Sequence, residues 1–298
     1  MSLVLEVEDI KKRFGNKEVL KGISFSAKPG EIVGLLGRNG SGKSTLMKLI
    51  CGLLEPNHGS IRVCGFDIKK QREKALQKIG VSIENPALYE SLTGWENLKL
   101  MARWRKVGAE RLQEMAHYTD LEHMLRKKVA GYSMGMKMRL MLAMVLMSSP
   151  QLIILDEPMN GLDPDGVIRL RDELLNLKKS GCTILLSSHL LSEMEKIVDR
   201  VVMIEKGVVV LQEDDATRLT GAVTYRFLIQ PFEAVITNLS EMVIAGDKQE
   251  QDLGWITIAV TEEGLDRILA RLHSAGASIY DIEKVSLTLE DVYRNALQ

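Results

Sequence analysis

The sequence predicts an α/β fold built on a mostly parallel sheet, followed by a small α+β domain. Short, almost wholly apolar runs such as Leu152-Ile-Ile-Leu155 and Thr183-Ile-Leu-Leu-Ser187 alternate with helix-like segments, the pattern of a sheet covered on both faces. Near residue 222 the order changes to strand, helix, strand, strand, helix, strand. The length of 298 residues also exceeds what a single core usually fills. The expected domains are 1–215 and 222–298, with a polar stretch from Asp214 to Gly221 between them.

The first strand is read at Leu3–Val7 and the second at Val19–Phe25, before the turn Lys28-Pro-Gly30. Glu31–Leu36 is a short apolar run typical of a buried strand, followed by a Gly-rich loop and a helix over about Ser44–Leu53. A strand at Ser60–Cys64, a charged helix at Gln71–Gln77 and a strand at Ile79–Ile83 come next. From Asn97 to Ser149 apolar residues recur at helical spacing and Met is abundant, which indicates several helices (a helical region over about 86–150) whose methionines are better read as adaptable core than as a ligand surface. A helix over Val167–Lys179 separates the two apolar strands already quoted, and Val201–Ile204 with Val208–Leu211 forms a closing hairpin. In the second domain strands are expected at 224–229, 242–246, 255–260 and 278–285, with helices at 231–239 and 262–274; this is the ferredoxin-like order, here with a last helix at Leu289–Leu297.

Hydrophobic residues at 45%, charged residues at 27% and no like-charge run describe a folded protein, and a formal net charge of -1 gives no basic field for gripping nucleic acid. Cys51, Cys64 and Cys182 lack the number or spacing of a disulfide framework or zinc site, so a reducing compartment is expected. Charges interrupt the N-terminus, and no segment offers about 18 uncharged apolar residues. The chain is therefore expected neither to be exported nor to span a membrane; a partner would have to supply any spans.

The chemistry begins at GRNGSGKST, in which Gly37-x4-Gly42-Lys43-Ser44 fits a phosphate-binding loop, with an apolar strand before it and a helix after it. Glycines let successive N–H groups converge on phosphate oxygens, the helix N-terminus adds partial positive charge, Lys43 adds a full one, and Ser44 can place a hydroxyl on Mg²⁺. The alternative, a flexible Gly/Ser turn, does not require those flanks. In Leu152-Ile-Ile-Leu-Asp156-Glu157-Pro158 two carboxylates stand at the C-terminal end of a buried strand, where ligands bind in open α/β sheets. Asp156 is assigned to the metal and Glu157 to polarising a water for in-line attack on the γ-phosphate.

Taken together, residues 3 to 215 resemble the ATP-binding cassette family, the motor subunits of ABC transporters. The resemblance rests on ordered motifs: GRNGSGKST as Walker A, YSMGM at Tyr132–Met136 in place of the signature, LIILDEP as Walker B, NGLDP at Asn160–Pro164 as the D-loop, and SSH ending at His189 as the switch histidine. It implies a P-loop NTPase cassette with an antiparallel β subdomain and a helical subdomain. It also implies ATP and Mg²⁺ as ligands, contacted by Gly37, Arg38, Asn39, Gly40, Ser41, Gly42, Lys43, Ser44 and Thr45. Phe14 would stack on adenine, against the alternative of a core phenylalanine, and His189 would contact the γ-phosphate. Ser133 and Gly135 would reach the γ-phosphate bound by a second cassette, with Asp163 of the D-loop nearby.

Two departures from the family pattern stand out. Glu84 occupies the place of the usual glutamine and would ligate Mg²⁺ or position water, with an altered metal dependence expected. Met134 and Met136 flank Gly135 in the signature. Glu84 and the following PALYESLTGWENL resemble exporters of peptide antibiotics such as bacitracin and lantibiotics, and the ending SLTLEDV resembles ABC-2-type exporter ATPases. The resemblance implies a transmembrane permease as partner, a second cassette, a place at the cytoplasmic face of the membrane, and movement of the helical region and Gln151 on closure. Rival readings are a soluble cassette ATPase of translation or DNA repair, and a nucleotide-binding regulator with little turnover.

Overall fold

The structure is a computed structural model that describes residues 3–83, 88–213, 223–239, 243–260 and 264–286. It divides into two compact units, 1–214 and 215–298. Glu84 and the helix expected at Leu289–Leu297 lie outside the described residues.

In the first unit, β1 (Leu5–Phe14), β2 (Lys17–Ala27), β4 (His58–Val63) and β5 (Phe66–Asp67) form an antiparallel sheet in the order β2-β1-β4-β5. A six-stranded sheet lies in the order β10-β9-β3-β8-β7-β6, from β3 (Ile32–Leu36), β6 (Ile79–Ser82), β7 (Leu152–Asp156), β8 (Thr183–Ser187), β9 (Arg200–Glu205) and β10 (Val208–Glu213). Its pairs are parallel except β9 with β10. Every residue of β3, β7 and β8 is buried, which explains their apolar sequence up to the polar residues Asp156, Thr183 and Ser187 at the ends of β7 and β8.

The first two strands are longer than the sequence suggests. Their partly exposed faces carry charges, and register shifts interrupt the β1–β2 pairing between Val7 and Ile10. The two-residue strand β5 was also too short to read from sequence. Helix α1 is Lys43–Ile50 and α2 is Arg72–Gln77.

The helical region contains α3 (Gly94–Arg105), α4 (Ala109–Tyr118) and α5 (Met134–Leu146), with 3₁₀ turns at Glu122–Arg126 and Val129–Gly131. A reciprocal cap starts α3: Glu96 N–H donates to Thr93 Oγ1 at 3.2 Å, and Thr93 N–H donates to Glu96 Oε2 at 2.8 Å. The methionines at 138, 141, 144 and 147 are buried, as core residues should be. Helix α6 (Pro164–Lys179) begins three residues before the expected start, because Asp163 caps it and Pro164 takes the first helical position. A short α7 (Leu191–Glu195) follows β8.

The second unit runs β11 (Val223–Gln230), α8 (Phe232–Leu239), β12 (Val243–Lys248), β13 (Gly254–Val260), α9 (Leu265–Ser274) and β14 (Ser278–Ser286). Its antiparallel sheet has the order β12-β13-β11-β14. Phe232 and Val235 of α8 and Ile268 and Leu272 of α9 pack with Phe227, Ile229, Ile256 and Ile258 of the sheet in one core, so both helices cover the same sheet face.

Candidate nucleotide site

The loop between β3 and α1 has the shape its glycines allow. Gly37, Gly40 and Gly42 have φ of 149°, 80° and 115°. A Cβ on Gly37 would lie 2.2 Å from Ile204 O, and one on Gly42 would lie 2.5 Å from Leu20 Cδ2. Gly42 precedes α1 with no side-chain cap, which leaves the first-turn N–H groups available to an anion.

Lys43 is only 8% exposed and curls back over the loop, donating from Nζ to Gly37 O at 2.6 Å and Arg38 O at 3.2 Å. Burial pushes its pKa below the usual lysine range, against the opposing pull of Glu157, Asp156 and Glu205. Ser41 Oγ is buried without a hydrogen-bond partner among the described residues. Free donors, a desolvated ammonium and an orphaned hydroxyl are what a bound triphosphate would satisfy.

Parallel pairing delivers the carboxylates to the same place. Asp156 ends β7 opposite Ser187, the last residue of β8, and Ser187 Oγ donates to Asp156 Oδ1 at 2.5 Å. Glu157 leaves the strand with φ of 51°, a left-handed conformation costly for glutamate; its N–H donates to Ser187 O at 3.2 Å and Oγ at 3.0 Å. Glu157 Oε2 accepts from His189 N–H at 3.1 Å and lies 2.8 Å from His189 Nδ1.

A cavity of about 730 Å³ joins Phe14, Asn39, Gly40, Gly42, Lys43, Ser44 and Thr45 to Asp156 and Glu157. Phe14 ends β1 and is 47% exposed there, which removes the core-phenylalanine alternative. Lys12 Nζ stands 5.1 Å from its ring centroid. Gly37 and Ser41 sit beneath the lining, and His189 reaches the site through Glu157. Among the described residues no group of three or more His, Cys, Asp or Glu forms a metal cage. The donor set of Ser44 and Asp156 instead suits Mg²⁺ shared with phosphate oxygens.

Ser133, Gly135 and Asp163 line a different cleft of about 560 Å³ with Met134 and Gly161. Ser133 caps α5, accepting from Met136 N–H at 3.3 Å, and Asp163 accepts from Gly166 N–H at 2.8 Å. The Gly40–Thr45 loop and the Ser133–Gly135 segment therefore lie on two separate cavities of one chain.

Sequence reasoning missed Lys17, Lys21 and Lys206 on the first cavity, and Ser187 beneath it. The basic residues carry no motif. Ser187 was visible only as the first serine of SSH.

The comparisons agree with this geometry. A family model described as ABC transporter matches residues 20–160. The chain is 38% identical over 299 residues to an uncharacterized ABC transporter ATP-binding protein, YdbJ, of Bacillus subtilis (strain 168), covering 98% of this chain and 95% of that protein. It is 41% identical over 212 residues to the bacitracin transport ATP-binding protein BcrA of Enterococcus faecalis, covering 70% and 68%. Among solved structures, cbiO1 from Clostridium perfringens, described as part of the ABC transporter complex cbiONQ, matches with a TM-score of 0.67 and 30% identity over 74% of this chain and 92% of that one. The fold, the site and these likenesses together place the chain in the family of ABC transporter ATP-binding proteins, as an ATPase subunit.

Proposed function

We propose that this chain drives a bacterial exporter by hydrolysing ATP at the cavity between the Gly37–Thr45 loop and the Asp156–Glu157 pair. The observation that carries the reading is their meeting in one cavity: Lys43 and Ser44 on one side, Asp156 and Glu157 on the other. The triphosphate lies along the loop N–H groups and Lys43, with adenine on Phe14. Ser44 and Asp156 would hold Mg²⁺, which when bound would supply charge neutralisation for the γ-phosphoryl group. Glu157 orients the attacking water and takes its proton as the new oxygen–phosphorus bond forms and the bond to the β-phosphate oxygen breaks. His189 holds the Glu157 carboxylate through the 2.8 Å contact and meets the γ-phosphate.

Because Ser133 and Gly135 lie on the other cleft, a second cassette completes each site, and closure of the pair is the stroke. Among the described residues no helix is long and apolar enough to cross a membrane. The likeness to transport ATP-binding proteins supports a permease subunit that supplies the path, with this chain at its cytoplasmic face. Tyr89, Trp95 and Trp104 stand exposed on the helical region, and the Tyr89 and Trp104 rings meet edge to face at 6.3 Å. They offer an apolar anchor to that permease. An antimicrobial peptide or another small hydrophobic compound as cargo is supported by the likeness to a bacitracin transport protein. Residues 222–298 act as an accessory domain that braces the dimer or regulates it.

Isolation of the native complex tests this directly. A co-purifying multi-span membrane protein and ATP-dependent efflux of a peptide antibiotic are expected; a chain that sediments only with ribosomes overturns the reading.

A further inference from the structure

We infer that Ser187 is a positioning residue for ATP hydrolysis, fixing the metal-binding carboxylate and the catalytic glutamate through one hydroxyl. The inference rests on the reading of Asp156 and Glu157 given above. Ser187 is fully buried at the end of β8, between β3 and β7, with Leu35 and Asp156 as its register partners. Its single proton goes to Asp156 Oδ1 at 2.5 Å, while its oxygen accepts the Glu157 N–H at 3.0 Å. The main-chain oxygen of Ser187 takes the same N–H at 3.2 Å.

Both interactions answer a local cost. Asp156 is buried and the Ser187 hydroxyl is the hydrogen-bond partner of its side chain, so the hydroxyl stabilises the carboxylate and fixes its rotation. Glu157 is in the left-handed region, where glutamate is held only if its surroundings over-determine it, and the double acceptor of Ser187 supplies that hold. The serine thus sets the angle between two carboxylates that act on one γ-phosphate. Outer hydrogen bonds of this kind typically govern metal affinity or activity by about 10–100-fold.

The test is Ser187→Ala in the full chain, beside Asp156→Asn and Glu157→Gln. Steady-state phosphate release, the Mg²⁺ concentration that half-saturates binding of a fluorescent ATP analogue, binding of that analogue in EDTA, and the melting temperature are measured. Ser187→Ala is expected to lower kcat by about 10–100-fold and to raise the half-saturating Mg²⁺ by about tenfold, with binding in EDTA close to the parent and the melting temperature lowered by only a few degrees for the lost buried hydrogen bonds. Parental kcat and Mg²⁺ demand overturn the inference. So does a parallel loss of EDTA binding and melting temperature, which marks a purely structural serine. If Asp156→Asn and Glu157→Gln themselves keep full turnover, the reading of the site falls first; if only Ser187→Ala keeps it, the site stands and this inference alone fails.

Discussion

Glu157 and His189 are joined twice, through the His189 main-chain N–H at 3.1 Å and the ring Nδ1 at 2.8 Å, both to Glu157 Oε2. In the proposed mechanism the other carboxylate oxygen is the one that takes the water, and the histidine helps to aim the base. Glu157→Gln is expected to lower kcat by about 10²–10⁴-fold while nucleotide still binds, because the amide cannot accept the proton. His189→Ala removes a charge-assisted hydrogen bond and should cost less, about 10–100-fold. Phosphate release measured beside nucleotide binding checks both, and equal rates in Glu157→Gln and the parent refute the assignment.

Lys43 gives a pH dependence of determined sign. Burial lowers its folded-state pKa, so between that value and the ordinary lysine value the unfolded chain holds a proton the folded chain lacks. Stability of the ligand-free protein therefore gains from Lys43 as pH rises through this window. Phosphate binding needs the charged ammonium, so ATP affinity should fall over the same alkaline range. Titration calorimetry from neutral to alkaline pH is expected to show this fall in the parent and a weak, flatter response in Lys43→Ala.

The phosphate loop was readable because its chemistry is local: the glycine spacing, the lysine and the flanking elements lie in one stretch from Ile32 to Ile50. The strand bearing Asp156 was readable for the same reason. Ser187 was not, since its role exists only once β8 lies parallel to β7 with Ser187 opposite Asp156, 31 residues apart. Phe14 was named by the resemblance, but the choice between an exposed ring and a core phenylalanine needed the structure. Its exposure depends on β1 running past Val7 through a charged, bulged stretch whose apolar alternation is too irregular to follow.

Two glycines in the same strand-loop segment should respond differently to alanine. At Gly37 the new methyl meets the Ile204 carbonyl at 2.2 Å, with φ of 149°. At Gly34 it meets Met194 Cε at 2.6 Å, the end of a flexible side chain, with Val198 Cγ1 at 3.0 Å. Gly37→Ala should destabilise by about 2–4 kcal/mol and abolish ATP binding, and Gly34→Ala by about 1–2 kcal/mol with binding retained. Urea unfolding and nucleotide titration separate them.

The cysteines should be slow to alkylate in the folded protein. Burial pushes Cys51 up to about 12 and Cys182 up to about 11, and Cys182 Sγ donates to Pro150 O at 3.1 Å. At pH 8 the thiolate fraction of Cys182 is then about 10⁻³, and its rate should climb about tenfold per pH unit toward pH 11. Cys64 is less buried and should label first in a mass-spectrometric time course with iodoacetamide.

Glu31 and Arg200 form the buried ion pair at the root of the strand that leads to the phosphate loop. Arg200 is 2% exposed and Glu31 8%, with Nε to Oε1 at 3.0 Å and Nη2 to Oε2 at 3.2 Å. Glu31 also accepts from Lys28 N–H at 2.7 Å, so it closes the turn into β3. Removing Glu31 takes the buried carboxylate from Arg200, which keeps its hydrogen bond to Ser26 O, and breaking a buried pair in this way runs to about 3–5 kcal/mol. Glu31→Leu should therefore destabilise the first unit on that scale. Glu31→Gln keeps the shape and hydrogen-bonding oxygen and should cost less, about 1–3 kcal/mol. The pair lies away from the nucleotide cavity lining, so kcat measured well below the melting temperature should stay near the parental value in Glu31→Gln. A large loss of turnover without a matching loss of stability would show that Glu31 acts on the site itself.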